Sequence, residues 1–566
     1  MIIAGGYFYL RYSYLKVPSY KPDNAKVATP LDLRPSLIAK LQQLVEDGSN
    51  GLYRLSIGQI TPDLIASTLE ITDATLTPDY NSLERLDKNR QAPDDVFKIK
   101  VHRIKITGIG ITDLLHKDRI DVKNIVINSP DIEVFHKLKF YNESSRIKND
   151  TISIYHRIEK IMKSVSIATV DINNGKVTDH NESQKNTTKV FNHIDIGIKS
   201  ILIDSSTQFD NNRFFFAKVA DISCKDYAIT TPDSLYDFKI GRILVSGEKH
   251  TMSALDVSLK PHGGRSEFQK HLHFRKEMFT ATFPKVSLTG NDWWSLMHRD
   301  RLIASNANVE GGSFLIYLDK TLSSTPTIKK ANFPDQVLMK LPMPVSIARM
   351  KVNDVTLNYE EYDPKIERSG VATFSKTNVL ITNVTNMRSK IKANSKTLLT
   401  GKTMFMSSVP MNAKIEFDLA HVNEGAFSAS VHVDQTTNDI LNPICEPMAL
   451  FTLRTGTLKE GTAHVTGNNE GAACDVSILY NDLRITPFKD KVDKNGNLKK
   501  KGLTSAIANT FIIKKNNPGE NSEIRQPRYT TQRDHHGNFF NFVWTSILTG
   551  ILKTVGIPVK FGVKKA

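Results

Sequence analysis

Short stretches of alternating apolar and polar residues run along most of this chain of 566 residues. In 98–106 and 120–127, isoleucine and valine alternate with lysine, arginine, histidine, aspartate and asparagine. Such alternation places apolar side chains on one face of a strand and charged side chains on the other. The stretches end at Gly, Asn, Pro or Asp, which are typical of turns. The pattern therefore predicts a mainly β protein, a meander of antiparallel strands with one dry and one wet face.

Helical spacing is rare in the chain. Apolar residues in 35–46 fall on one stripe, with Pro35 near the start, so a helix is predicted there. A second, short helix is predicted at 155–164, ahead of a strand. The corresponding position in the second half of the chain allows one helical turn at most, because it contains Pro334, Pro342 and Pro344.

One stretch of the chain is present twice. Residues 97–137 reappear as 279–320, and in both copies a Thr-Gly pair precedes a His-basic-Asp-Arg-aliphatic sequence, at an offset of 182 positions (289 − 107). Two flanking matches have nearly the same offset: LYRLSIGQI at 52–60 with LYDFKIGRI at 235–243, and VSIATVDINNGKV at 165–177 with VSIARMKVNDVTL at 345–357. Matches in the same order at nearly one spacing predict a tandem duplication.

The duplication predicts a long array of antiparallel strand units, with few short helices and a hydrophobic helix at the C-terminal end. The expected segments are a truncated membrane anchor and linker (1–30), a first β-repeat unit (31–204), a connector (205–234), a second β-repeat unit (235–386), a C-terminal β block without an obvious copy of the repeated stretch (387–488), a basic polar loop (489–536) and a hydrophobic or amphipathic terminal helix (537–566).

The N-terminal run Met1–Leu10 is apolar but too short to span a bilayer, which takes about 20 residues. No basic residue precedes it, so it is not an ordinary signal peptide. The run is either the outer half of a membrane helix or an ordinary first strand. We favour the outer half of a membrane helix, because several tyrosines and an arginine directly follow a Gly-rich apolar run. This composition is typical of the interfacial end of a membrane helix.

Residues 537–556 are apolar at helical spacing and carry no charge before Lys553. This stretch is either an interfacial membrane helix or a helix that caps the open end of the sheet, and both alternatives stay open. The residues expected to contact a membrane are Phe540, Trp544, Ile547, Leu548, Ile551 and Leu552.

The chain is basic, with 75 Lys and Arg against 59 Asp and Glu and a net charge of +16. This excess favours an anionic neighbour, such as membrane headgroups, acidic glycans or nucleic acid. The plainer alternative is that lysines line the wet strand faces and protect strand edges. Nucleic-acid binding finds support in the charge alone, because the sequence has no recognition helix or zinc pattern, and we expect no nucleic-acid partner.

No catalytic, cofactor or metal site is expected. The repeated His-basic-Asp-Arg sequence, 116–119 and 298–301, is the most suggestive candidate, but adjacent residues on a strand or turn point to opposite sides, so a structural turn is favoured. Asp534-His535-His536 lacks further ligands for a metal. The three cysteines fit neither a metal spacing nor a disulfide scaffold. For the pair Trp293-Trp294 we expect one buried and one near-surface ring.

The order of a candidate anchor, repeated strand units and a β-rich end resembles the AsmA-like proteins of bacterial envelopes, particularly the uncharacterised members from Bacteroidetes-type bacteria. The stretch at 448–485, MALFTLRTGTLKEGTAHVTGNNEGAACDVSILYNDLRI, looks like the closing segment of that group. The resemblance implies a long curled sheet whose apolar concave face, a β-groove, holds acyl chains, with no catalytic residues. It also implies an inner-membrane anchor, a periplasmic body and a role in phospholipid transport or outer-membrane homeostasis.

Two rivals to lipid handling follow from the same residues. The alternation of apolar residues would equally serve to pack two sheets into a structural or adhesive β-array with closed cores and a protein or glycan partner. An enzyme that uses His116 and His298 is the other rival. We expect lipid handling, by a non-enzymatic protein that binds phospholipid acyl chains and a membrane surface.

Overall fold

The computed structural model of the protein describes residues 32–110, 119–142, 163–182, 187–207, 210, 213, 216–231, 233–299, 301–324, 332–492, 498–500 and 513–557. The described residues are mainly β, with 57% in strands and 18% in helices. It divides into two compact units. Unit 1 comprises Met1–Pro232, Lys239–Ala254 and Asp292–Arg299, and unit 2 comprises Asp233–Phe238, Leu255–Asn291 and Asp300–Ala566.

The helices are few and mostly short. They are α1 (Arg34–Gly48), α2 (Tyr80–Lys88), α3 (Gly264–Lys270), α4 (Trp293–Arg299), α5 (Pro334–Met339), α6 (Arg388–Ala393), α7 (Asn438–Ala449) and α8 (Phe539–Val555).

The strands supply most of the structure. They are β1 (Tyr53–Ser56), β2 (Gln59–Asp63), β3 (Thr68–Pro78), β4 (Asp95–Thr107), β5 (Arg119–Asn128), β6 (Asp131–His136), β7 (Ser164–Asn181), β8 (Thr187–Ile203), β9 (Ala217–Thr230), β10 (Tyr236–Ser246), β11 (Thr251–Pro261), β12 (Met278–Thr289), β13 (Leu302–Glu310), β14 (Ser313–Asp319), β15 (Val345–Asp363), β16 (Arg368–Thr385), β17 (Lys396–Phe405), β18 (Val409–Asp418), β19 (Phe427–Val433), β20 (Thr436–Thr437), β21 (Phe451–Gly467), β22 (Gly471–Val492), β23 (Leu498–Lys500) and β24 (Arg528–Gln532).

Helix α1 confirms the helix predicted at 35–46. Proline lies in its first turn, where the missing N–H costs nothing, and Leu37 is fully buried. The rest of the predicted stripe packs against the core of unit 1, namely Ile38, Leu41, Leu44 and Val45. The amphipathic pattern was therefore sufficient to place this helix and its buried face.

The sheet of unit 1 is mixed, so antiparallel pairing, which was predicted for the strand units, describes only part of it. Strand β4 pairs antiparallel with β3, β5 and β6, but β5 and β6 both pair in parallel with β7. Parallel neighbours need a crossover connection rather than a hairpin turn. The chain between β6 and β7 is long enough for one, and it returns to start β7 beside the start of β5.

Unit 2 has the same arrangement. Strand β12 pairs antiparallel with β13 and β14, which both pair in parallel with β15. From β15 the ladder continues antiparallel through β16, β17, β18, β19, β21, β22 and β24. Helix α5 before β15 has six residues, so it is short but longer than the one turn at most that was expected among the prolines.

Backbone irregularities also recur at matching positions of the two copies. Residues with positive φ come in pairs, including Asp73 with Asp256 (52° and 54°) and Gly108 with Gly290 (both 66°). At Gly108 and Gly290 this left-handed backbone favours glycine. The bulge between Ile172 and Gly175 on β7 has its counterpart between Val352 and Val355 on β15. These irregularities support the predicted repeat.

A hydrogen bond recurs as well. The hydroxyl oxygen of Tyr53 accepts from the backbone N–H of Phe97 at 3.1 Å, and that of Tyr236 accepts from the N–H of Phe279 at 3.2 Å. Both tyrosines are buried. The offsets of these residues, 183 and 182 positions, are those of the sequence matches (236 − 53 and 279 − 97).

The block 387–488 repeats the element order of the first unit, although its sequence showed no obvious copy. Strands β18 and β19 precede α7, and β21 and β22 follow it, with antiparallel pairing throughout. In unit 1, β2, β3, α2, β4 and β5 have the same order and pairing. The two parts therefore share an element order without sharing an obvious sequence match.

Part of the predicted basic loop at 489–536 is regular structure. Strand β24 pairs with the start of β22, and its Arg528 forms an ion pair with Asp475 at 3.0 Å. Asn517 is fully buried and its backbone bridges to Tyr480. The high charge of this stretch concealed these contacts. The predicted anchor at 1–30 and most of the helix predicted at 155–164 lie outside the described residues.

Candidate functional site

In unit 1 one isoleucine from each successive strand forms a row across the sheet. Directly paired residues of neighbouring strands point to the same face, so the register places these side chains side by side. This isoleucine row consists of Ile60, Ile71, Ile104, Ile127, Ile172, Ile196 and Ile222, from β2, β3, β4, β5, β7, β8 and β9.

The isoleucine row is covered at one end and less covered at the other. Ile60 and Ile71 are buried, and they belong to the cluster on which α1 packs. Ile196 and Ile222, on the last two strands of the row, are half-buried. The described helices therefore cover the beginning of this apolar face more completely than its end.

Unit 2 carries a longer row with the same geometry. The register of each strand pair joins one apolar residue to the next, without interruption, from β12 to β22. This long row consists of Leu288, Ala307, Met350, Ile381, Leu399, Ile415, Ala429, Val465 and Cys474. A second row beside it consists of Val286, Val309, Val352, Val379, Gly401, Ala413, Val431, Ala463 and Val476.

Burial changes part-way along the long row. Its members on β15 to β18 are only half-buried, namely Met350, Ile381, Leu399 and Ile415. On the next strands Ala429 is 3%, Val465 1% and Cys474 4% exposed. One continuous apolar surface is thus closed over β19–β22 and partly open over β15–β18, where Ile415 of β18 already packs against the closed part.

Helix α8 closes the row over β19–β22. Phe539, Phe542 and Val543 pack with Ala429, Val465 and Cys474 in one buried cluster. Phe333, just before α5, joins the same cluster and stacks edge-on against Phe539 at 5.0 Å between ring centroids. The apolar pattern that suggested a terminal helix thus reflects burial on at least one of its sides.

A glycine lets the helix lie directly on the sheet. A Cβ at Gly550 would fall 2.6 Å from Cβ of Val476 and 2.5 Å from the hydroxyl of Tyr529, both shorter than side chains tolerate. Any larger residue would therefore push α8 away from β22. Further along, Val555 packs with Ile478 and Tyr480.

The residues expected to contact a membrane do not share one environment. Phe540 is 58% and Trp544 45% exposed, on the side of α8 away from the sheet. Ile547 and Ile551 pack partly against the buried clusters, and Leu548 is half-buried. Leu552 is 2% exposed, so its side chain belongs to the interior of unit 2. Helix α8 thus packs on the face of β19–β22 rather than at an open end of the sheet, and membrane contact stays a prediction.

Most of the candidate catalytic side chains cannot be compared with the structure. His116 and Asp118, and the side chains of His298 and Asp300, lie outside the described residues. Nε of Arg119 lies 3.5 Å from a carboxylate oxygen of Asp121, and both side chains are exposed. His535 Nε2 lies 3.7 Å from Glu470, and no group of potential metal ligands was found among the residues that the structure describes.

The paired tryptophans behave as expected. Trp293 is 5% exposed, and its indole N–H donates to the carbonyl oxygen of Gly247 at 3.1 Å. Trp294 is half-buried. This contact holds α4 on unit 1 and involves no other functional group that the sequence singled out.

One functional group was missed by the sequence reasoning. Asp335 in α5 is 4% exposed, and neither oxygen of its carboxylate has a hydrogen-bond partner. Loss of water around the group raises the pKa of Asp335 to about 6, although nearby backbone N–H groups moderate the rise. Nothing in the letters around Asp335 distinguishes it from an ordinary first-turn aspartate.

Comparison with protein-family models and with curated proteins found no match to this chain. Within the described ranges, none of the helices combines the length and the apolar character needed to cross a bilayer. Helix α8, the longest of the described helices, has 17 residues.

Proposed function

We propose that the protein is a non-enzymatic, AsmA-like envelope protein that binds phospholipid acyl chains along apolar grooves of its sheets. The observation that carries this proposal is the half-buried part of the long row on β15–β18. Apolar side chains that stay in contact with water retain the free energy that a ligand gains by covering them. Each acyl CH₂ moved from water onto such a surface contributes roughly 0.8 kcal/mol.

The open part of the row has the size of a lipid tail. Neighbouring strands lie roughly 4.8 Å apart, so the three steps from β15 to β18 cover about 14 Å. The hydrocarbon core of a bilayer is about 30 Å thick, which leaves about 15 Å for the tails of one leaflet. The second row lies alongside and doubles the apolar width, so that a chain can lie between the two rows.

We propose further that the protein works at the membrane of a bacterial envelope, anchored at its N-terminal end in the inner membrane with its body in the periplasm, and serves outer-membrane homeostasis. The net charge of +16 supports an anionic lipid surface as its neighbour. Exposed Phe540 and Trp544 on α8 support contact with the interfacial region, where aromatic side chains are favoured.

The second candidate is a structural or adhesive β-array with closed cores and a protein or glycan partner. The buried residues at the start of the isoleucine row, Ile60 and Ile71, favour this second candidate, because the protein itself covers the apolar face there. This candidate requires the open part of the long row to be covered by a partner rather than by lipid, and it predicts no bound acyl chain.

Neighbouring residues on opposite faces of β16 provide a test. Ile381 belongs to the long row, whereas Leu380 is 37% exposed on the other face. We expect Ile381→Glu to weaken binding of a fluorescent acyl-chain phospholipid at least several-fold, because it places a charge in the groove. Leu380→Glu, the matched control, should bind as the unmodified protein does.

Circular dichroism should show that both variants keep their strand content. Equal binding by the two variants and the unmodified protein would place the probe elsewhere and refute the groove. Absence of binding by the unmodified protein, together with capture of a protein or glycan partner that Ile381→Glu abolishes, would support the second candidate.

A further inference from the structure

The long row and its neighbour run without a break under α8. At Val465 and Cys474 the apolar residues have the same register and face as at Leu399 and Ile415. What differs is the cover, which over β19–β22 comes from the side chains of α8. The helix therefore occupies, on this part of the sheet, the place that an acyl chain takes on the open part if the proposed function holds.

The helix carries large apolar side chains on both of its sides, and Lys553 is exposed in its last turn. The side toward the sheet buries Phe539, Phe542 and Leu552, and the side away from it exposes Phe540 and Trp544. A helix that stays permanently on a protein surface normally carries polar residues on its outer face. An outer face with two large exposed aromatic side chains suits a helix that also meets an apolar environment away from the sheet.

Three of the four hydroxyl groups of α8 bond within the helix, and the exception is Ser546, whose hydroxyl contacts Thr531 of β24. Thr545, Thr549 and Thr554 donate to carbonyl oxygens of the helix itself, at 2.8, 2.9 and 2.9 Å. A hydroxyl group satisfied within its own helix keeps its partner when the helix moves into hydrocarbon.

A few polar contacts join α8 to its surroundings. The hydroxyl groups of Ser546 and Thr531 lie 2.9 Å apart, and the hydroxyl of Tyr529 donates to the carbonyl oxygen of Ser546 at 2.6 Å. The guanidinium of Arg525 donates to the carbonyl oxygen of Thr554 at 3.2 Å. The partners of α8 in these hydrogen bonds are Thr531 and Tyr529 on β24 and Arg525 just before it. Strands β19 and β21 contact α8 through apolar side chains.

We propose that α8 is a displaceable plug that covers the apolar face of β19–β22 and leaves it when acyl chains extend along the rows. This inference rests on the proposed function, because it takes acyl chains as the ligand. Once displaced, the helix keeps its own hydrogen bonds and places the apolar side chains of both its sides against lipid. Its movement lengthens the open groove from β15–β18 to β15–β22.

Native Cys474 offers a way to lock the helix in place. The thiol of Cys474 on β22 lies 3.9 Å from the hydroxyl of Thr531, which in turn contacts Ser546 of α8. Ser546→Cys therefore brings a second thiol next to Cys474. Oxidation should join α8 to β22, and reduction should release it, while the protein stays otherwise the same.

The control is the double variant Cys474→Ser with Ser546→Cys, which cannot form this bond. The probe is a phospholipid with a photoreactive acyl chain, presented in vesicles of phosphatidylethanolamine and phosphatidylglycerol. After illumination, mass spectrometry locates the labelled peptides on β15–β18 and on β19–β22. It also identifies the disulfide bond that joins Cys474 to the thiol introduced by Ser546→Cys.

In the reduced protein and in the control we expect label on both groups of strands. In the oxidised Ser546→Cys protein, label on β19–β22 should fall at least tenfold while label on β15–β18 persists. Label confined to β15–β18 in every state would overturn the plug and leave the proposed function intact. Label on β19–β22 that oxidation does not change would also overturn the plug and leave the proposed function intact. Absence of label on all of these strands would count against the proposed function itself.

Discussion

Asp335 allows a direct test of what a buried, ionised carboxylate costs the stability of unit 2. Its carboxylate is buried without a hydrogen-bond partner, and burial raises its pKa from 3.8 to about 6. One pKa unit corresponds to about 1.4 kcal/mol, so a rise of about 2 units destabilises the folded protein by about 3 kcal/mol when the group is ionised. Asp335→Asn removes the charge and keeps the shape.

The sign of the pH dependence follows from which state holds the proton. Between pH 3.8 and about 6 the folded protein keeps a proton on Asp335 that the unfolded chain has lost. Stability contributed by this group therefore falls as the pH rises through that window, and the cost is complete above it. Below pH 3.8 the carboxyl group is neutral in both states and the cost is absent.

We therefore expect Asp335→Asn to stabilise unit 2 at pH 7.5 by about 1–3 kcal/mol, since part of the gain is lost to the unsatisfied amide. The gain should shrink toward zero near pH 4. Urea unfolding followed by hydrogen exchange of the α8 amides reports the stability of unit 2. Asp256→Asn, at an exposed carboxyl of unit 2, should change stability by less than about 0.5 kcal/mol. A gain that is absent at pH 7.5, or that is the same at every pH, would refute this reasoning.

Four further substitutions test the packing and the repeat. Gly550→Ala should destabilise the packing of α8 by about 1–3 kcal/mol, seen as faster hydrogen exchange of the helix amides. The control Gly461→Ala in unit 2, where a Cβ meets its nearest atom at 3.7 Å, should not change that exchange. Phe333→Ala should lower the free energy of unfolding of unit 2 in urea by about 3–5 kcal/mol, because the ring is fully buried. Tyr53→Phe and Tyr236→Phe should each cost about 1 kcal/mol by thermal unfolding, and strongly unequal costs would contradict equivalent roles in the repeat.

Local patterns in the sequence were sufficient for much of the fold. The stripe in 35–46 predicted α1, and alternation predicted strands that the structure contains. The duplication could be recognised because it kept letters such as Thr107-Gly108 and Thr289-Gly290, where the backbone is left-handed and glycine is favoured. A left-handed backbone at one position favours glycine at that position, so this requirement can be recognised from a single sequence.

The rest depends on contacts between distant residues. Whether β7 runs parallel or antiparallel to β5 is decided by the path of the connection, which leaves no mark on the alternation within either strand. The rows depend on register across many strands, and shifting one strand by a single residue would break them. Both sides of α8 carry large apolar side chains, so the sequence did not reveal that one of them covers β19–β22.

The central claim is that the half-buried part of the long row holds acyl chains, and the lipid content of the purified protein tests it most directly. The protein should be purified from its membrane fraction without exchange into detergent and its lipids extracted for mass spectrometry. We expect stoichiometric phospholipid with the unmodified protein and with Leu380→Glu, and a clear loss with Ile381→Glu. A lipid-free protein, or phospholipid that Ile381→Glu leaves unchanged, would contradict the claim.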